Sequence, residues 1–207
     1  MAKTLLSFDH CDVNAKDQWG KTPLHVACEI GHVACIHELM AGGAQIEARN
    51  SALQVTPLHL AAEFNHPDSV KTLVSVYKAS VNSIDKYRNS FLYRAANKGH
   101  FEVVKSLLLF DDCDVNAEGQ FGRTALHVAC GRGHNACIHE LMARGAEIEA
   151  RDSDSKATPL QLPARCNHPD SVKTLTDVYK ASVNPTNKYG NTALHLAAHR
   201  GTLTSSE

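Results

Sequence analysis

The sequence predicts an all-α solenoid, a row of stacked helix–turn–helix units, and three observations carry that prediction. Thr22-Pro23-Leu24-His25 returns 34 residues later as Thr56-Pro57-Leu58-His59 (56 − 22 = 34), then as Ser90-Phe91-Leu92-Tyr93, Thr124-Ala125-Leu126-His127, Thr158-Pro159-Leu160-Gln161 and Thr192-Ala193-Leu194-His195. A fixed period of this size marks one supersecondary unit stacked on copies of itself. Inside the unit, apolar residues recur at helical spacing. Gly or Asn stands where the first short helix has to stop.

The unit spanning 17–50 shows the grammar. Asp17-Gln18-Trp19-Gly20-Lys21 is a turn, with Gly20 suited to positive φ. Thr22 is a helix N-cap, and Pro23 follows at the position where its fixed φ helps and its missing N–H costs nothing. Leu24, Ala27 and Cys28 share one face, and Gly31 ends the helix in the left-handed conformation. Ile36, Leu39 and Met40 make the stripe of a second helix, closed by Gly42-Gly43. Ala44-Gln45-Ile46-Glu47-Ala48 is extended and leads to the next turn. In the second and fifth units Asn65 and Asn167 replace the stopping glycine, and Pro67 and Pro169 open the second helices with Asp68 and Asp170 behind them.

Five complete units follow, 17–50, 51–84, 85–118, 119–152 and 153–186, flanked by partial ones at 1–16 and 187–207. The first partial unit holds the latter part of a second helix, and the last holds a first helix. Solenoid ends need polar caps, and these ends lack them. The expectation is a segment of a longer array, or ends that associate end to end or fray. The second half also copies the first at an offset of 102 residues: His66 to Leu73 recurs as His168 to Leu175, and Cys35 to Ala41 as Cys137 to Ala143. Pro163 stands where the other first helices have Ala27, Ala61, Ala95, Ala129 and Ala197. An interior proline costs about 3 kcal/mol, which would make the fifth unit the weakest.

A formal net charge of −1 leaves no basic face for nucleic acid. No window approaches a membrane span, and the apolar run after Met1 is too short for a secretory signal. Six of the seven cysteines pair at the 102-residue offset, as core residues would (Cys11/Cys113, Cys28/Cys130, Cys35/Cys137). They read as reduced thiols in a cytoplasmic or nuclear protein.

Thr-Pro-Leu-His, a short helix, Gly-His, a longer helix ending in Leu-Leu or Leu-Met, and the element Asp12-Val13-Asn14-Ala15, repeated as Asp114-Val115-Asn116-Ala117, together resemble the ankyrin repeat over essentially the whole chain. The resemblance implies two antiparallel helices per repeat and a projecting β-hairpin-like loop. It also implies a protein-interaction scaffold without enzymatic activity or cofactor, binding through hairpin tips and the concave face of the first helices. Carried over by position, the tips present Trp19, Tyr87, Phe121 and Tyr189, with Leu53 and Ser155 in the same place; hairpin-to-hairpin packing would explain these residues equally. The concave stripe reads Glu29-Ile30, Glu63-Phe64, Asn97-Lys98, Gly131-Arg132, Arg165-Cys166 and His199-Arg200, acidic first and basic from the third repeat onward. An elongated protein partner, basic at one end and acidic at the other, would complement it.

The family further implies hydroxylation of asparagine in the Asp-Val-Asn-Ala element, favoured by leucine eight residues upstream. Asn14 and Asn116 have Leu6 and Leu108 there. The same resemblance fits a regulatory segment of a larger protein, such as a kinase, ubiquitin-ligase adaptor or cation channel. A remote alternative is a metal- or thiol-dependent sensor built on His25, Cys28, Cys35 and His37. Against it, the repeat pattern accounts for His25 and packing for both cysteines, so that only His37 and its copy His139 lack a role in the repeat. No phosphate loop, nucleophile elbow or paired carboxylates appear.

Overall fold

The computed structural model describes residues 2–8 and 10–199. These residues form twelve α-helices and, among them, no strand. A short α1 (Ala2–Leu6) precedes five helix pairs. The pairs are α2 (Pro23–Ile30) with α3 (Val33–Ala41), α4 (Pro57–Glu63) with α5 (Pro67–Lys71), α6 (Phe91–Lys98) with α7 (Phe101–Leu108), α8 (Ala125–Arg132) with α9 (Asn135–Ala143), and α10 (Gln161–Cys166) with α11 (Pro169–Lys173). A final first helix, α12, covers Ala193–His199. First helices pack on first helices down the array, and second on second. Leu24, Leu58, Leu92, Leu126 and Leu160 form one buried row, and Ile36, Val70, Val104 and Ile138 another.

The helix starts show why the motif repeats. The Thr22 N–H donates to Nδ1 of His25 at 3.1 Å, and the ring's Nε2 reaches the Val55 carbonyl of the next repeat at 3.0 Å. A backbone N–H can only donate, so Nδ1 is bare and Nε2 carries the proton. His127 repeats both bonds, to Thr124 and Ala157. Gln161 does the same work without a ring: its Oε1 accepts from Thr158, and its Nε2 donates to the Asn191 carbonyl at 2.9 Å. At His25, His127 and Gln161 the motif residue is therefore a cap for its own helix and a strap to the next repeat. The Gly-His pair ties repeats too. His66 Nε2 lies 2.9 Å from the Glu29 carbonyl, and a Cβ on Gly31 (φ +79°) would sit 2.3 Å from the His66 ring.

The constant 34-residue period hides two compensating shifts. The side chains that accept the N–H of the following repeat are Asn14, Glu47, Asn82, Asn116 and Glu149. Their spacing is not constant: 47 − 14 = 33, 82 − 47 = 35, 116 − 82 = 34, 149 − 116 = 33. In repeats 2 and 5 the second helix carries one extra residue, taken up as a π turn at Thr72–Val76 and Thr174–Val178. The hairpins that open these two repeats close over 50–55 and 152–157, one residue longer than 17–21. Each π turn also ends on a tyrosine that the preceding repeat uses. The Tyr77 hydroxyl lies 2.6 Å from His37 Nδ1, and Tyr179 lies 2.7 Å from His139. The two histidines without a role in the sequence pattern are thus straps between second helices.

Pro163 departs from expectation. The helix it was placed inside begins only at Gln161, so Pro163 is the third residue of a six-residue helix, where α8 has eight. Its missing N–H falls in the first turn, where no helical carbonyl is in reach. The chain meets the proline by starting the helix later. Thr158's buried hydroxyl is left without a direct partner among the described residues.

Candidate partner-binding face

Each hairpin is a loop closed by one backbone bond, and all but the fourth, which opens on Gly119, add an Asx turn. In the first, Asp17 N–H donates to the Lys21 carbonyl, and the Asp17 carboxylate accepts from Trp19 and Lys21 N–H at 2.9 and 2.8 Å. Four of the joins between successive tips run through the carbonyl of the tip residue, and between the third and fourth tips Gln120 N–H instead donates to the Asn89 amide oxygen at 2.9 Å. Ser51 N–H donates to Trp19, Lys86 to Leu53, Ser153 to Phe121 and Lys188 to Ser155. The backbone, rather than the ring, makes these links. Trp19 is 57% exposed, Tyr87 46%, Phe121 54% and Tyr189 68%. Phe121 is held at φ +62°, a conformation that bulky side chains rarely adopt.

The ends of the first helices form the second stripe. Ile30 and Phe64 are exposed, and Val26 joins them. The two acids beside them are already engaged: Lys21 Nζ lies 2.6 Å from Glu29, and Arg94 binds Glu63. Arg94 also holds Asp85 at 2.5 Å. Burial pushes the Asp85 carboxyl up, but N–H bonds from Asn89 and the Arg94 guanidinium outweigh it and keep the group below the usual carboxylate range. The acidic end of the stripe is therefore neutralised from within, contrary to the plain reading of Glu29 and Glu63 as free charges.

Further along, Lys98, Arg132 and Arg165 line a cavity of about 450 Å³ between the hairpins and first helices of repeats 3 to 5. No ion pair engages these three among the described residues. Arg132 Nε donates only to the Asn97 amide oxygen, at 3.3 Å. Beside the paired Arg94 and Glu63, the walls also hold Asn89, Tyr93, Gln120 and Arg123. These four were not singled out from sequence, although Tyr93 breaks the histidine register and Arg94 stands where other first helices have Val26, Leu60, Val128 and Leu162. Arg200 lies outside the described residues.

Asn14 and Asn116 are tied at both ends. Each amide oxygen accepts from the next repeat at 2.8 Å, and each NH₂ donates to a glycine carbonyl there, Gly43 or Gly145. His25, Cys28, Cys35 and His37 do not converge: His25 straps Val55, His37 straps Tyr77, and burial raises the Cys28 thiol so that it stays protonated. Among the described residues no three His, Cys, Asp or Glu side chains meet as a metal site.

Stacked helix pairs with a hairpin-lined groove define a repeat-built interaction module. A family model of ankyrin repeats, in three copies, matches residues 1–85 and 92–187, and the chain belongs to the ankyrin-repeat family. Ankyrin repeats are generally protein–protein interaction modules. No curated protein matches the chain. Among the described residues no helix is long and apolar enough to cross a membrane.

Proposed function

We propose that the chain is a non-enzymatic interaction module that holds an elongated segment of another protein along its hairpin tips and the concave ends of its first helices. The observation that carries this reading is the division of labour at the tips. The carbonyls of Trp19 and Phe121 knit the hairpins together while their rings stay in solvent. An exposed aromatic on a fixed backbone has already met most of the ordering cost of binding. Trp19, Tyr87, Phe121 and Tyr189 are the anchors on this reading, with Ile30 and Phe64 as apolar floor and Lys98, Arg132 and Arg165 as the charged end.

Cross-linking of bound partners, followed by capture on the wild-type chain and on a Trp19→Ala/Tyr87→Ala variant, tests it. The expected result is loss of the cross-linked species with an unchanged melting temperature, because the carbonyl links survive the substitution. Equal capture by both proteins, or a fall in melting temperature that accounts for the loss, would return these rings to a packing role.

A further inference from the structure

We propose that the groove of repeats 3 to 5 receives an acidic segment of a partner protein, with its carboxylates on Lys98, Arg132 and Arg165. The proposal rests on the interaction-module reading and names the chemistry of what is held.

The first argument is the unpaired charge. Five cations and one acid, Glu63, line the cavity; Arg94 and Arg123 are paired, while Lys98, Arg132 and Arg165 are in no ion pair among the described residues. The acids that could have neutralised them are committed elsewhere. Glu63 and Asp85 take Arg94, and Asp152, its side chain fully buried at the hairpin base, takes Arg123 at 3.2 Å.

The second argument is internal to the chain. Glu29, Ile30, Glu63 and Phe64 of the first three-repeat block correspond to Gly131, Arg132, Arg165 and Cys166 of the second. All four groove positions differ, two acids are gone and two arginines have come in. The second-helix stretch from His66 to Leu73 is meanwhile identical to that from His168 to Leu175. The sign of the groove changes while the packing behind it stays fixed. Lys21 tells the same story: its counterpart Arg123 has lost the groove acid and turns to Asp152, so that the acid moves from the wall into the base of the hairpin.

The cavity points to carboxylates on a peptide. A guanidinium fork donates two parallel hydrogen bonds to a carboxylate. A nucleic acid would need a long basic stripe to match its phosphates, and this chain has a net charge of −1.

Fluorescence anisotropy of a labelled peptide of alternating Glu and Gly, its Gln-for-Glu counterpart and a single-stranded oligonucleotide of equal charge decides the matter. Arg165→Glu and Arg132→Ile are the informative variants, since Glu63 and Ile30 already occupy those places in the first block. The Glu peptide should bind wild type about tenfold more tightly than the Gln peptide, and each substitution should weaken it about tenfold at an unchanged melting temperature. Raised salt should weaken it as well. Absence of Glu-peptide binding, equal affinity for the Gln peptide, unchanged affinity of both variants, or tighter binding of the oligonucleotide would each overturn the proposal. The capture experiment at Trp19 and Tyr87 is independent of all four outcomes, so the broader reading can stand while this one falls.

Discussion

The second three-repeat block copies the first at an offset of 102 residues, yet the two handle buried charge in different ways. In the first, Asp85 sits at a hairpin base with its side chain wholly buried and is held by Arg94 at 2.5 Å. In the second, the same two places hold Asn187 and Leu196. Asn187 keeps the Asx turn, accepting from Tyr189 and Asn191 N–H at 2.9 and 3.0 Å, and has no charge that requires a partner. Lys21 with Glu29 and Arg123 with Asp152 make a second such pair. Charges in the repeat interior thus change in pairs, as the high cost of a buried charge without its counter-ion demands. Lys98, Arg132 and Arg165 lie outside that rule: Lys98 and Arg132 are exposed and Arg165 partly so, and they stand along the groove without an internal counter-ion among the described residues.

The strongest way to break the comparison is to give the first block half of the second block's solution. Arg94→Leu leaves the Asp85 carboxylate buried without its cation and is expected to cost about 3 kcal/mol in urea unfolding. Arg94→Leu with Asp85→Asn reproduces the second block and should recover most of that loss. Equal destabilisation by the single and double variants would show that the ion pair is not what differs between the blocks.

His59 and Gln161 sharpen the comparison at a smaller scale. Burial, together with the nearby Arg94 charge, lowers His59 to about 3, and burial also lowers His25 and His127. A group whose folded value lies below its unfolded one, near 6.5 for histidine, costs nothing at neutral pH. Below about 6.5 the unfolded chain takes up the proton and the folded chain does not, so stability falls as pH falls towards the folded value. For His59 alone the loss between pH 6.5 and 5 is about 2 kcal/mol at 1.36 kcal/mol per unit. His59→Gln, which installs the second block's cap, should flatten the urea midpoint over that range. An unchanged slope would mean that His59 is not a source of the acid sensitivity.

The fold was legible because helix capping is local chemistry. In repeats 1, 2 and 4 a Thr, the ring nitrogen three residues on and a left-handed Gly or Asn write the repeat into a short stretch, and the structure places helix pairs accordingly. The register changes were not legible. The longer hairpin opening repeat 2 makes up for the shorter second helix of repeat 1, so counting from threonine to threonine returns 34 throughout. The groove's charge was half legible. Lys98, Arg132 and Arg165, read as a basic stripe, line one cavity, but Glu29 and Glu63 are neutralised by Lys21, eight residues away, and Arg94, 31 residues away. Pairing across that distance is set by packing. His37 and His139 failed for the same reason, since their partners Tyr77 and Tyr179 lie 40 residues on.

Ala61 and Pro163 give the smallest contrast and the finest test. The full interior penalty does not apply, because the helix holding Pro163 starts at Gln161 and puts the ring in its first turn. What the proline removes is the turn that Pro159 and Leu160 would otherwise contribute. Pro163→Ala should let the helix begin at Pro159, as α4 begins at Pro57. Against that gain stands the greater freedom of the unfolded chain once the ring is gone, about 0.4–1 kcal/mol. A net stabilisation of about 1 kcal/mol follows, or a rise of about 2–4 °C in melting temperature for a chain of this size. Amide exchange reports the cause as well as the sum: protection should appear at Leu162 and Ala164 if the lost turn re-forms. A higher melting temperature without that protection would assign the effect to something other than the helix start, and an unchanged or lower one would show that the late start costs the fifth repeat nothing.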